Sequence, residues 1–227
     1  IAWSERNNFP FSFLTEASVN LAEDDVLLEM MQSAGFHRVF LGIETPAPAS
    51  LEEANKSQNT KRDLLESVRK IQSYGIEVMA GFIVGFDNDP EDIFERQINF
   101  IRESAIPLAM VGLLTALPDT QLWKRLEREG RLVHESSGNN TDCSLNFVPK
   151  MDRERLVEGY KDILRTIYSS EEFYQRALDC LSRVRNGSAG LQRDSVIGVL
   201  RSSIRIVLRL GVRDRERLRF WKYLFRV

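Results

Sequence analysis

Four apolar runs in the first half of the chain each end on a carboxylate. Residues 11–15 run into Glu16 and residues 38–43 into Glu44. Residues 77–84 lead to Gly85-Phe86-Asp87, and residues 108–117 to Pro118-Asp119. A carboxylate accepts hydrogen bonds from an ammonium group or from paired ribose hydroxyls. Several at one rim suit a ligand rich in hydroxyl and amino groups, or a divalent cation. Acids also gather at strand-to-helix turns because they cap the helix that follows. Asp87 and Asp119 fit capping better. Glu16 and Glu44 directly follow a strand and precede the next helix by several residues, so either role suits them.

The segment Gly81-Phe82-Ile83-Val84-Gly85-Phe86 places glycine inside an apolar run. A glycine there lets a flat ligand approach the backbone, but a bulge or a bulky neighbour explains it equally well. The histidines offer less. His37 precedes the second apolar run, at the end of the strand away from the acids, and His134 follows the last run. No His/Cys cluster has metal-ligand spacing. Cys143 reads as a loop residue and Cys180 as a helix-face residue. The sequence therefore assigns no metal ligand and no catalytic side chain.

The elements that must position these residues alternate in type. Strand starts near 11, 38, 77 and 108 recur at about 30 residues, the length of one βα unit. Helical patterns fill the gaps at 24–34, 60–74, 89–104 and 120–129, with a short one opening at Ser50. Ser50-Leu51-Glu52-Glu53 has the form of a capping box, and Asp89-Pro90 that of an N-cap with proline after it. Near-continuous apolar strands are what a parallel sheet covered by helices requires. The fold class read from this is α/β: an incomplete parallel (β/α) partial TIM-like barrel of four βα units with a C-terminal α-helical extension. Active sites of such barrels lie at the C-terminal strand ends, where the four acids are. The domain reading is 1–133 for the barrel part, 134–151 for a polar connecting loop, and 152–227 for a helical region. That region contains helices at 152–168, 170–185, 195–210 and 214–225, with breakers at 186–190 and Gly211.

With 227 residues, 43% hydrophobic and 28% charged, the composition is that of a globular protein. No apolar stretch approaches the roughly 20 residues needed to span a bilayer. Two cysteines exclude a disulfide framework and fit a reducing compartment. The chain begins with Ile1 and reads as an internal part of a longer protein. Charge is unevenly spread: from Arg193 onward ten basic residues face three acids, so the tail is about +7 and the remainder about −9 against a net −2. Arg201, Arg205 and Arg209 form a stripe, with Ile197, Leu200, Ile204, Val207 and Leu208 as an apolar face and Phe220, Trp221, Tyr223 and Phe225 following. A basic amphipathic helix with aromatic residues after it can dock on an anionic membrane. It can equally pack on the barrel with its arginines in water. The expectation is a cytoplasmic protein with peripheral membrane contact through these helices and no nucleic-acid partner.

Several of these segments occur together and in order: Phe13-Leu14-Thr15-Glu16-Ala17-Ser18, Phe40-Leu41-Gly42-Ile43-Glu44-Thr45 and Gly81-Phe82-Ile83-Val84-Gly85-Phe86-Asp87. Met110-Val111-Gly112-Leu113-Leu114 and Asn146-Phe147-Val148-Pro149-Lys150-Met151 follow. In this the chain resembles the radical S-adenosylmethionine proteins that carry an N-terminal cobalamin-binding domain and a C-terminal domain of unknown function, the hopanoid methylases among them. The resemblance implies a six-stranded partial barrel of which this chain holds strands three to six. It implies that Thr15, Glu16 and Glu44 contact the methionine or ribose part of S-adenosylmethionine. It implies too that Gly81, Ile83 and Gly85 run beside the adenine, and that Leu114 and Thr115 face that base. The implied reaction is reductive cleavage of S-adenosylmethionine to a 5′-deoxyadenosyl radical that activates an unactivated carbon, with a methyl group coming from cobalamin. The substrate would be a lipid-like or other small molecule.

The chain departs from the pattern. It has no CxxxCxxC motif, so ligands for a 4Fe-4S cluster lie outside it, as does the cobalamin domain, and by itself it is expected to be inactive. Asn88 stands where the family's third motif has an acid. Two other readings remain open at this stage: a divalent-metal barrel lyase using Glu16, Glu44 and Asp87, and a non-catalytic membrane-docking or adaptor module.

Overall fold

The computed structural model describes residues 1–7, 9–134, 145–184 and 196–226. Four strands, β1 (Phe13–Ala17), β2 (Phe36–Glu44), β3 (Glu77–Val84) and β4 (Ala109–Leu113), pair in parallel in the order β1-β2-β3-β4. Helix α1 (Ala2–Arg6) precedes the sheet, and α2 (Asp25–Ala34) joins β1 to β2. Between β2 and β3 lie α3 (Pro48–Glu53), α4 (Ser57–Thr60) and α5 (Leu64–Ser73). Helix α6 (Ile93–Ser104) joins β3 to β4, and α7 (Gln121–Arg128) follows β4. The remainder is helical: α8 (Arg153–Ile167), α9 (Ser170–Val184), α10 (Val196–Ile206) and α11 (Arg217–Leu224), with a π-helical stretch at Val207–Arg213. This is the α/β partial-barrel architecture that the βα period predicts.

Alternation along the strands decides the layers, because successive side chains point to opposite faces. Val39, Leu41 and Ile43 of β2 are fully buried, as are Val78, Ala80 and Val84 of β3. Phe82 joins them and meets Phe100 of α6 edge-on at 5.9 Å. This face packs on the helices in one continuous core with Leu28, Val68, Ile71, Ile93 and Ile101. The intervening residues face the concave side of the sheet and are less buried.

Capping explains several boundaries. Asp24 accepts from Leu27 N at 2.8 Å, and Gly35 ends α2 in the left-handed region at φ 93°. Asp63, Thr120 and Asp152 cap α5, α7 and α8 in the same way. Two caps read from the sequence are different in the structure. Helix α6 starts at Ile93 with Asp92 at its N-cap, so Asp89 is not a cap. Ser50 lies inside α3, which begins at Pro48 and has no side-chain cap. In both cases the side chains find each other instead: Ser50 Oγ donates to Asp89 Oδ1 at 2.6 Å. The second strand also starts earlier than its apolar run, so His37 lies within β2.

Helix α8 belongs to the same core as the sheet, through Leu156, Tyr160, Ile163 and Ile167. Gly159 makes this docking possible, because a Cβ there would overlap the ring of Phe94. In the tail, the break expected at Gly211 falls at Asp214; Gly211 is buried in the π-helical stretch, and its carbonyl accepts from Trp221 Nε1 at 2.9 Å. The breaker at 186–190, Arg193, Asp194 and Cys143 lie outside the described residues, as does most of the polar loop.

Candidate functional site

The strand register decides which predicted residues share a surface. Glu16 pairs with Phe40, and Gly42 with Gly81. Gly81 pairs with Met110 and Ile83 with Gly112. Partners in a parallel ladder point the same way, so Glu16, Phe40, Gly42, Gly81, Ile83 and Gly112 lie on the concave face; Glu44 pairs with Phe82 after a register shift, and its side chain turns back over Gly42. Thr15 pairs with Val39 and faces the helices instead.

Three strands thus place a glycine on one strip of the concave face, and each does something different. At Gly81 a Cβ would come within 3.1 Å of Phe40 Cζ, so the missing side chain is where that ring rests. At Gly42 a Cβ would meet Glu44 Oε1 at 2.9 Å, so the Glu44 carboxylate lies back over this glycine. At Gly112 a Cβ would meet nothing within 4 Å. Open space therefore borders Ile83 there. Gly85 has a turn role: its φ is 108° and Leu156 of α8 presses on it.

Glu44 is the most constrained of the predicted residues. It follows a register shift in β2 and has φ 66°, a conformation that costs an ordinary side chain about 1 kcal/mol or more. Its surroundings hold it there. Lys56 Nζ stands 2.9 Å from Oε1, with the Glu44 side chain 16% exposed. The buried Asn59 donates to the carbonyls of Gly42 and Ile43 at 3.1 and 3.2 Å, and the buried Thr45 hydroxyl accepts from Ala47 N.

A cleft of about 500 Å³ opens at this strand end. Its apolar wall includes Ile83, Phe86, Leu114 and Leu122, and its polar groups include Glu44, Lys56, Thr115 and Gln121. Of the predicted residues, Glu44, Ile83, Leu114 and Thr115 come together here; Glu16 and Gly81 share the concave face outside the cleft lining, while Thr15 and Gly85 are turned away from it. Lys56, Gly42, Gly112 and Asn59 were not singled out from the sequence. Register would have found the glycines, which fall on one face of three adjacent strands, Gly42 level with Gly81 and Gly112 two residues further along, whereas nothing local marks Lys56 or Asn59.

Asp87 and Asp89, beyond the third strand, are structural. Asp87, 4% exposed, is neither a helix cap nor a free ligand group. Both its oxygens accept from Arg131 at 2.7 Å, and Arg125 Nη2 stands 3.2 Å away. Burial alone would raise its pKa, but the hydrogen bonds from Arg131 and the charges of Arg131, Arg125 and Lys150 hold the carboxyl below its ordinary range. Arg125 also binds Glu53 at 2.6 Å, which ties α7 to α3 beneath the cleft. Asp89 folds back on the turn after β3, accepting from Gly85 N and Phe86 N at 2.7 and 3.1 Å. Burial raises its pKa against these bonds. This acid, one position beyond Asn88, closes the turn. Asp119 is exposed at φ 64°, and Thr120 is the cap. Asn146, 1% exposed, clasps residue 116 from both sides: it accepts from Ala116 N at 3.0 Å and donates to Ala116 O at 2.7 Å. It fixes the chain just beyond Leu114 and Thr115.

The size of the cleft and its apolar wall with few polar groups suit a small-molecule site. The Glu44–Lys56 pair complements a ligand carrying both an ammonium and a carboxylate. Among the described residues the one cysteine, Cys180, is buried in α9 away from the cleft, and burial pushes its thiol up to about 11. Among the described residues no group of three His, Cys, Asp or Glu could hold a metal ion, so Glu16, Glu44 and Asp87 are not assembled as one. Among them also, no helix is long and apolar enough to cross a membrane.

A parallel sheet wound with helices, bearing a charged pair and a cleft at its strand ends, defines a (β/α) partial-barrel unit with a candidate small-molecule site. Residues 120–227 match the model of a domain of unknown function, DUF4070. The chain is 38% identical to an uncharacterized methyltransferase of Synechocystis over 98% of this chain and 42% of that protein. It is 37% identical to a hopanoid C-2 methylase of Rhodopseudomonas palustris over 100% of this chain and 43% of the relative. A bacteriochlorophyllide d C-12(1)-methyltransferase of Chlorobaculum tepidum is 26% identical over 70% of this chain and 35% of its own length. These matches support the resemblance to the radical S-adenosylmethionine methylases, to a C-terminal part of which the chain corresponds. It spans less than half the length of these first two curated relatives.

Proposed function

We propose that this chain supplies the S-adenosylmethionine-facing wall of a cobalamin-dependent radical methylase acting on an unactivated carbon of a lipid-like or other small substrate. The observation that carries the reading is the strained Glu44, held over Gly42 by Lys56 at the carboxyl end of the sheet. Its carboxylate is placed to accept hydrogen bonds from ribose hydroxyls or an ammonium group. Lys56 neutralises it and offers a cation to a ligand carboxylate. Ile83, Leu114 and the open strip over Gly112 leave room for a flat ring, and Thr115 and Gln121 add polar contacts at the side. The bound cofactors supply the radical and methyl-transfer chemistry, while these residues bind, orient and exclude water. The cluster and cobalamin would be held by parts of the protein outside this chain. The name of the Rhodopseudomonas relative supports a lipid-like substrate.

Equilibrium binding of S-adenosylmethionine to the full-length protein, purified without oxygen, tests the reading. Glu44→Gln keeps the shape but removes the charge, and should weaken binding about tenfold or more, as loss of a charge-assisted hydrogen bond does. Unchanged affinity in that variant would falsify the assignment of Glu44. Assay of iron, sulfide and cobalamin in the same preparation tests the cofactor set, and absence of iron would overturn the radical reading.

A further inference from the structure

The C-terminal helices show a surface that the cleft does not use. Residues 200–206 are exposed on every side of α10. Leu200, Ile204 and Leu208 recur every four residues and are 50–60% exposed. Arg201, Arg205 and Arg209 stand one position after each of them, so an apolar stripe runs beside a cationic one. Among the described residues the only ion pair within the tail is Arg219–Glu216 at 3.1 Å, and no tail arginine bonds an acid of the barrel part. Phe225 and Leu218 are about 80% exposed, on a helix that Tyr223 anchors to Tyr174 of α9 at 5.3 Å between rings.

We propose that this surface docks the protein on an anionic lipid bilayer. Charge complementarity selects the occupant. The region from Arg193 onward is about +7, and the rest of the chain is about −9. An anionic surface therefore attracts the tail and repels the body, which orients the molecule tail-first. The adjacent apolar stripe then enters the headgroup layer while the arginine stems lie along it and keep their charges at the phosphates. A nucleic-acid phosphate backbone would satisfy the arginines but leave Leu200, Ile204, Leu208 and Phe225 in water. The inference stands apart from the proposed reaction and needs no cofactor.

Flotation of the full-length protein with phosphatidylcholine vesicles, with and without a minority of phosphatidylglycerol, is the test. The protein should float with the anionic vesicles, much less with the neutral ones, and less as salt is raised. Two triple variants separate the forces: Arg201→Glu with Arg205→Glu and Arg209→Glu, and Leu200→Ser with Ile204→Ser and Leu208→Ser. Each should lower partitioning by on the order of tenfold or more, with circular dichroism unchanged because all six side chains are exposed. No flotation of the unaltered protein would mean that another part of it covers this surface, and would overturn the proposal. Full binding by the serine variant would also overturn it, because the tail would then be recognising polyanions through charge alone.

Discussion

Replacing Asp87 by Asn removes the buried anion on which Arg131, Arg125 and Lys150 converge. The Asp87 side chain is 4% exposed, Arg131 is 15%, Arg125 33% and Lys150 64%. Lys150, mostly in water and 3.8 Å away, contributes little. Arg131 dominates, with two parallel bonds of 2.7 Å. Breaking such a pair from one side costs about 3–5 kcal/mol when the remaining charge is stranded. Here the stranding is partial. Arg131 keeps Glu129 and the Val148 carbonyl, both at 2.8 Å, and Arg125 keeps Glu53 at 2.6 Å. The expected loss is therefore about 2–3 kcal/mol, read from urea unfolding at neutral pH. A double-mutant cycle of Asp87→Asn with Arg131→Met should return a coupling of about 1.5 kcal/mol or more. The pH dependence has a definite sign. The folded carboxyl titrates below its unfolded value near 4, so its stabilisation is complete above that value and is lost as pH falls through the lower, folded one. Asp87→Asn should flatten that acid limb. A loss under about 0.5 kcal/mol, or an unchanged acid limb, would refute the claim that Asp87 is a structural brace.

Two glycines give opposite expectations. Gly159→Ala forces a Cβ into the Phe94 ring, so it should destabilise by about 1–3 kcal/mol despite the better helix propensity of alanine, and adding Phe94→Leu should recover part of the loss in thermal unfolding. Gly112→Val meets no neighbour, so stability should stay within about 0.5 kcal/mol while S-adenosylmethionine binding falls severalfold or more. Unchanged binding in that variant would show that the open strip beside Ile83 is not part of the ligand site.

Much of this molecule was legible along the chain. Four apolar runs at one βα spacing predict four parallel strands, because only that pattern buries both sheet faces with so few polar residues. The strand-end positions of Glu16, Glu44, Asp87 and Asp119 followed from the same runs, and the ordered motifs from Phe13 to Met151 carried the family resemblance. Their roles did not follow, because a carboxylate's chemistry depends on what the fold brings beside it. Asp87 and Asp119 read alike in sequence, yet one is buried among arginines from positions 125 and 131 and the other is in water. Asp89 has the local form of a helix cap, but Ser50 and the amides after β3 compete for it and win.

Register decided the rest. One residue separates Thr15 from Glu16, and that single step places them on opposite faces of the sheet. Gly42, Gly81 and Gly112 become neighbours only when three strands align. Lys56 reaches Glu44 from the turn beyond α3, a contact that no periodicity describes. Local pattern and composition determined the strands, the helices, the charged tail and the family resemblance. The tertiary structure alone decided which acid is a brace, which lines the cleft and which glycine leaves space, since those depend on contacts between residues far apart in the chain.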